Sequence, residues 1–180
     1  MKYVFPLPAI SNNTLIRLRE IFQATTRTHQ FEYENKIKIT NHFIDNEDDF
    51  KFIIDNIIIP TGISIEEVQD TWGENDINYI NNRGINFNVC KVGDFIGPHK
   101  DKNPTKLNIM ISEKLSTSIN FAGESQEESY NWETPALVDV SKVHYVDPLP
   151  EGSLPRVTLQ IFLTNSFDYY KKIVNTTPIW

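Results

Sequence analysis

After Ile85 the chain breaks into short runs dense in β-branched and aromatic residues: INFNVCKV, KLNIMIS, TSINFA, ALVDV, KVHYV and RVTLQIFL. Segments rich in Gly, Pro, Asp, Asn, Ser and Glu part them. Each run has strand length and each separator carries turn chemistry, the rhythm of an antiparallel sandwich or jelly roll. No internal repeat and no long linker interrupts it.

The first 84 residues have a different texture. From Asn12 to Ala24 the apolar residues Leu15, Ile16, Leu18, Ile21 and Phe22 fall at helical spacing behind an Asn or Thr as the candidate cap, with Arg17, Arg19 and Glu20 expected to face water. A second helix is expected from Glu47 to Ile58, opened by acidic residues that suit a helix N-terminus and ended before Pro60. A shorter third is expected over Ile65 to Trp72. The expected architecture is mainly β with N-terminal helices, an α+β chain. A length of 180 residues makes one domain the default. Residues 1–84 would form a mainly helical buttress and 85–170 a jelly-roll core.

A net charge of -7 argues against broad binding to phosphate backbones, so nucleic acid is a disfavoured partner. Cys90 is the only cysteine, which excludes an intrachain disulfide and a thiolate metal cage. The opening MKYVFPLPAISNN lacks the apolar run of a signal peptide, and no stretch approaches the roughly 20 apolar residues of a membrane span. The expected setting is soluble and cytoplasmic. GESQEE, from Gly123 to Glu128, reads as a solvated hairpin loop.

His99-Lys100-Asp101 follows the strand pattern FNVCKVGDFIGP. In an extended segment residues i and i+2 share a face, so the imidazole of His99 and the carboxylate of Asp101 can reach one ion while Lys100 points away. The pair alone is weak, because four His and eleven Asp in 180 positions give roughly 0.24 such pairs by chance. His144, in the later run SKVHYV, supplies the distant third ligand. Two His and one carboxylate leave three coordination positions open, the arrangement of non-haem Fe(II) oxygenases. His29 and His42 have no partner at ligand spacing and are assigned ordinary roles.

Arg156 is the last of five arginines and opens the apolar run RVTLQIFL twelve residues after His144. A guanidinium at the start of a buried strand needs an anion, and a bidentate carboxylate satisfies it. Thr158, two positions on, shares its face and adds a hydroxyl donor. A structural salt bridge is the competing account of Arg156.

In this order the residues resemble the Fe(II)- and 2-oxoglutarate-dependent dioxygenase superfamily: His99 and Asp101 as His-x-Asp, His144 as the distal His, then Arg156 and Thr158. The resemblance covers about Asn86 to Thr164. It implies a double-stranded β-helix core, Fe(II) at His99, Asp101 and His144, and 2-oxoglutarate held at its distal carboxylate by Arg156 and Thr158. Asn108 stands where relatives carry a polar residue near the cosubstrate. Gly93 matches a Tyr-x-x-Gly pattern whose aromatic place is taken by Cys90. Trp132 and Tyr145 are candidates for the substrate pocket, with core packing as the plainer role. The implied reaction is O2-dependent hydroxylation with succinate and CO2 as coproducts, on an amino-acid side chain of a protein or on a small molecule.

The sequence contains no Gly-x-Ser-x-Gly, Walker loop or Gly-x-Gly-x-x-Gly. Lys100, Lys102 and Lys106 read as a solvated loop. Two other classes stand beside the enzyme: a jelly-roll module that binds metal or sugar without turnover, favoured if Arg156 is salt-bridged, and a structural or viral assembly protein, which predicts that the triad does not converge.

Overall fold

The computed structural model describes residues 1–68, 84–112, 117–122 and 128–177. β1 (Val4–Pro6) leads into α1 (Asn12–Ala24), whose N-cap is Ser11 and not the expected Asn or Thr: its Oγ accepts a hydrogen bond from the Thr14 N–H at 3.1 Å. That bond satisfies one of the orphan donors of the first turn. Leu18 and Ile21 of α1 are buried, as the helical spacing requires, but Ile16 is 51% exposed. Two of the residues expected to face water are anchored instead. Arg17 pairs with Asp49 at 2.6 Å, and Arg19 Nε donates to the Ile111 carbonyl at 2.7 Å.

β2 (Thr28–Tyr33) and β3 (Ile37–Phe43) form an antiparallel hairpin. This corrects the division at residue 84, because β3 is not a buttress: it sits inside the sheet, paired with strands on both sides. The local pattern was legible, since IKITNHF alternates and Ile37, Ile39, Asn41 and Phe43 are all buried.

α2 (Glu47–Ile53) is capped by Asn46, whose Oδ1 accepts from the Asp48 N–H at 2.8 Å. The helical run does not stop before Pro60. It widens into a π turn over Ile54–Ile58 and tightens into a 3₁₀ turn over Ile59–Thr61, where Pro60 falls in the first turn and forfeits no bond. Gly62 ends it at φ +76°, where a Cβ would lie 2.6 Å from Thr177 Oγ1. The third helix shrinks to a 3₁₀ turn over Ile65–Glu67, after which Val68 bridges Leu163; the remainder of that expected helix lies outside the described residues.

The later strands are β4 (Ile85–Cys90), β5 (Phe95–His99), β6 (Thr105–Met110), β7 (Ile119–Phe121), β8 (Glu128–Tyr130), β9 (Ala136–Asp139), β10 (His144–Val146) and β11 (Arg156–Leu163), followed by α3 (Phe167–Thr176). Residues 123–127 of the GESQEE loop lie outside the described residues. Glu128 opens β8 rather than sitting in the loop, and its half-buried carboxylate accepts from the Lys2 and Tyr3 N–H groups at 2.8 and 3.2 Å.

The strands pair antiparallel in the order β1-β9-β6-β11-β4-β3-β5-β10-β7-β8, with β2 attached to β3. β11 shows how the sheet separates two environments. Val157, Leu159, Ile161 and Leu163 enter the core that also holds Leu18, Ile21, Ile53 and Ile57 from the helices, while Arg156, Thr158, Gln160 and Phe162 line a cavity on the other face. Each fully buried Leu or Ile contributes about 1.5–3 kcal/mol relative to an exposed one, so the helices are held by these apolar contacts more than by propensity. A second core, with Val4, Phe121, Tyr130, Val138 and Val146, packs near the other strands. Among the described residues no helix is long and apolar enough to cross a membrane.

Candidate metal centre

His99 is the last residue of β5 and His144 the first of β10, and antiparallel pairing sets the two directly opposite. Asp101 follows two residues after His99, its backbone N–H donating to the Val140 carbonyl at 2.9 Å. One ligand atom from each of the three side chains lies within 4.8 Å of the others. His99 Nε2 is 3.3 Å from Asp101 Oδ1, and His144 Nε2 is 3.8 Å from Asp101 Oδ2. The convergence is opposite to what an assembly protein predicts.

Backbone carbonyls fix both rings. His99 Nδ1 is 2.8 Å from the Gly97 oxygen and His144 Nδ1 is 2.9 Å from the Lys142 oxygen. A carbonyl only accepts, so each Nδ1 carries a proton and each Nε2 is the atom turned toward Asp101. Gly97 has a second duty. A Cβ there would meet the Lys36 carbonyl at 2.9 Å, so only glycine lets β5 approach the β2–β3 turn this closely.

The electrostatics suit a cation. Burial, outweighing the pull of Asp101, lowers the His144 pKa to about 4, which keeps its imidazole neutral and able to ligate. For Asp101 burial pushes upward, but the Lys106 ammonium and then the two histidines outweigh it and hold the carboxyl well below its ordinary range. Lys106 is the residue that sequence reasoning misplaced. It lies on β6, not in a solvated loop; it is buried, 2.5 Å from Asp101 Oδ2, with its ammonium 4.6 Å from the centre of the Phe162 ring. The signal was the alternation of TKLNIM, in which Lys106 and Asn108 share the face opposite Leu107 and Ile109. Lys100 and Lys102 are exposed, as expected, but both also line the cavity, so Lys100 does not point away from it.

The cavity has a volume of about 360 Å³. His99, Asp101 and His144 line it together with Arg156, Thr158 and Asn108, so all six sequence-predicted positions open onto one space. Arg156 is 2% exposed, and its hydrogen bond among the described residues is a 3.4 Å contact from Nη1 to Thr117 Oγ1. No carboxylate pairs with it among the described residues. Burial lowers its pKa, against the longer-range pull of Cys90 and Asp147. The salt-bridge account therefore finds no partner there. Asn108 Oδ1 is buried without a hydrogen-bond partner among the described residues. Asn88 Nδ2 donates to Asn41 Oδ1 at 3.2 Å, extending a polar floor that the strand spacing did not announce.

Trp132 lines the cavity, has φ +25°, and keeps its indole N–H buried without a partner among the described residues. Tyr145, one position along β10 from His144, takes the other face and is not among the lining residues. Cys90 is buried in register with Arg156, and Gly93 turns β4 into β5 at φ +88°. His42 keeps an ordinary role, its Nδ1 3.1 Å from Thr25 Oγ1.

No family model and no curated relative matches the chain. Solved structures do. A 2OG-Fe(II) oxygenase family oxidoreductase from Burkholderia pseudomallei aligns over 91% of this chain and 86% of its own, with TM-score 0.62 and 12% identity. A prolyl-4-hydroxylase from Pseudomonas putida aligns over 90% of this chain and 92% of its own, with TM-score 0.54 and 11% identity. At these identities the likeness is one of fold. The chain is built on the fold of 2OG-Fe(II) oxygenase structures and gathers a His-Asp-His cluster in its cavity.

Proposed function

We propose that this protein is a non-haem Fe(II)- and 2-oxoglutarate-dependent dioxygenase that hydroxylates an amino-acid side chain of a protein or a small molecule. One observation carries the reading: two imidazoles and a carboxylate converge in the same cavity as a buried guanidinium that has no carboxylate partner among the described residues. The finer fold follows with it. The runs β9-β6-β11-β4 and β5-β10-β7-β8 would be the two walls of a double-stranded β-helix, with the cavity between them.

The donor set fits the metal. Two nitrogen ligands and one oxygen ligand on one side, each imidazole oriented from behind by a carbonyl, would hold Fe(II) and leave positions open. Arg156 and Thr158 would take the distal carboxylate of 2-oxoglutarate, and Asn108 would offer its amide beside them. Bound there, Fe(II) would supply the O2 chemistry that couples 2-oxoglutarate decarboxylation, giving succinate and CO2, to oxidation of a C–H bond. The chain's own share is to orient: β5, β10 and β11 fix ligands and anchor on a rigid frame, and apolar residues such as Ile96, Ile119 and Val146 exclude water. An amino-acid side chain as target draws support from the prolyl-4-hydroxylase among the structural likenesses.

Succinate release from 2-oxoglutarate under O2 and Fe(II) tests the reading, comparing wild type with His99→Ala and Arg156→Ala. The expected result is turnover in the wild type alone. A wild type that shows neither turnover nor binding of Fe(II) and 2-oxoglutarate ends the oxygenase reading.

A further inference from the structure

The molecule is acidic overall, with a net charge of -7, yet its cavity has the opposite sign. Lys100, Lys102, Lys106 and Arg156 line it, and among the described residues Asp101 is the one lining carboxylate. A cleft walled by one sign of charge concentrates ligands of the other.

Lys106 makes this specific. It is buried, and its ammonium leans on Asp101 Oδ2 at 2.5 Å. In a metal-loaded site that single carboxylate would also serve a divalent ion. Two positive charges from the ion and one each from Lys106 and Arg156 would then face one negative charge. A dianionic 2-oxoglutarate removes two of the three charges left over, and one positive charge stays unmatched. An unmatched charge at this depth is costly, so a further anion belongs there.

We propose, resting on the oxygenase reading, that the primary substrate is itself an anion whose carboxylate or phosphate is held by Lys106, with Lys100 and Lys102 drawing it to the mouth. The exposure of Lys100 and Lys102 suits them to long-range attraction, and the burial of Lys106 suits it to a short ion pair. The carbon skeleton lies against the apolar wall of Ile96, Ile119, Trp132 and Val146.

The test is calorimetric and needs no turnover. The full chain is saturated with Zn(II) and 2-oxoglutarate without O2, then titrated with matched probes: N-acetyl-aspartate amide against N-acetyl-asparagine amide, and N-acetyl-phosphoserine amide against N-acetyl-serine amide. At least one anionic member is expected to bind about tenfold or more tightly than its neutral partner, and the pair that discriminates separates carboxylate from phosphate. The preference disappears in Lys106→Met at saturating Zn(II), survives in Lys106→Arg, and weakens several-fold in a Lys100→Gln/Lys102→Gln variant or in added salt. Equal binding within both pairs, no binding by either anion, or an undiminished preference in Lys106→Met overturns the proposal. Where Lys106→Met does not fold, an unchanged preference in the Lys100→Gln/Lys102→Gln variant overturns it. Loading with Zn(II) and 2-oxoglutarate is scored first, and its failure removes the oxygenase reading and this proposal together.

Discussion

His99 and His144 face each other across adjacent antiparallel strands, their ring centroids 4.3 Å apart and each Nδ1 bound to a carbonyl two residues earlier. The same local device on two strands aims two Nε2 atoms at Asp101. Replacing His99 with Ala leaves two ligands, so affinity for Co(II) or Zn(II) should fall by at least about a hundredfold, beyond the 10- to 100-fold typical of outer partners. Metal titration with a stoichiometry of one ion per chain measures this; tight binding retained by His99→Ala would place the ion elsewhere.

Gly97 supplies the carbonyl that orients His99 and packs against Lys36. Gly97→Ala should shift the end of β5, costing about 1–3 kcal/mol of stability and weakening metal binding about tenfold or more. Denaturant unfolding and metal titration on one sample show both losses. A variant with wild-type values for each means that the backbone approach is not constraining.

Arg156 separates binding from folding. Its buried guanidinium has no carboxylate partner among the described residues, so Arg156→Met should be at least as stable as wild type. Its affinity for 2-oxoglutarate should nonetheless fall by about a hundredfold, while metal binding is kept. A large loss of stability would mark Arg156 as structural.

The metal-free protein should lose stability on acidification within a defined window. His144 titrates near 4 when folded because burial disfavours its charged form, against an ordinary value of 6.5. Between those values the unfolded chain takes up a proton that the folded chain refuses, so stability falls as pH drops through that range and is unaffected by this group above it. Asp101, held below its ordinary range, acts in the same direction at lower pH. Urea unfolding at pH 7.5, 6 and 5 should show the slope, and His144→Gln should flatten it.

Leu159 is fully buried among helix and strand side chains on the face of β11 opposite the cavity. Leu159→Ala should cost about 2–5 kcal/mol. With Zn(II) affinity unchanged while the protein is folded, this would show that the two faces of β11 carry separate duties.

Much of this architecture is local and was legible without coordinates. The limits of β11 match the run RVTLQIFL, and α1 matches the periodicity from Asn12 to Ala24, because hydrophobic spacing and capping act over a few residues. His99 and Asp101 share a face by the period of two alone. The sequence also placed His144, Arg156 and Thr158 in order, but order is not proximity. Only the tertiary structure decided that His144 lies opposite His99, that β3 runs inside the sheet, and that Arg156 is buried beside no carboxylate among the described residues. The same holds for Lys106, which looked like one more loop lysine. Its ammonium sits on Asp101 because β6 carries it to the cavity face, and cross-strand register is fixed by turns and burial over long separations that residue patterns do not encode.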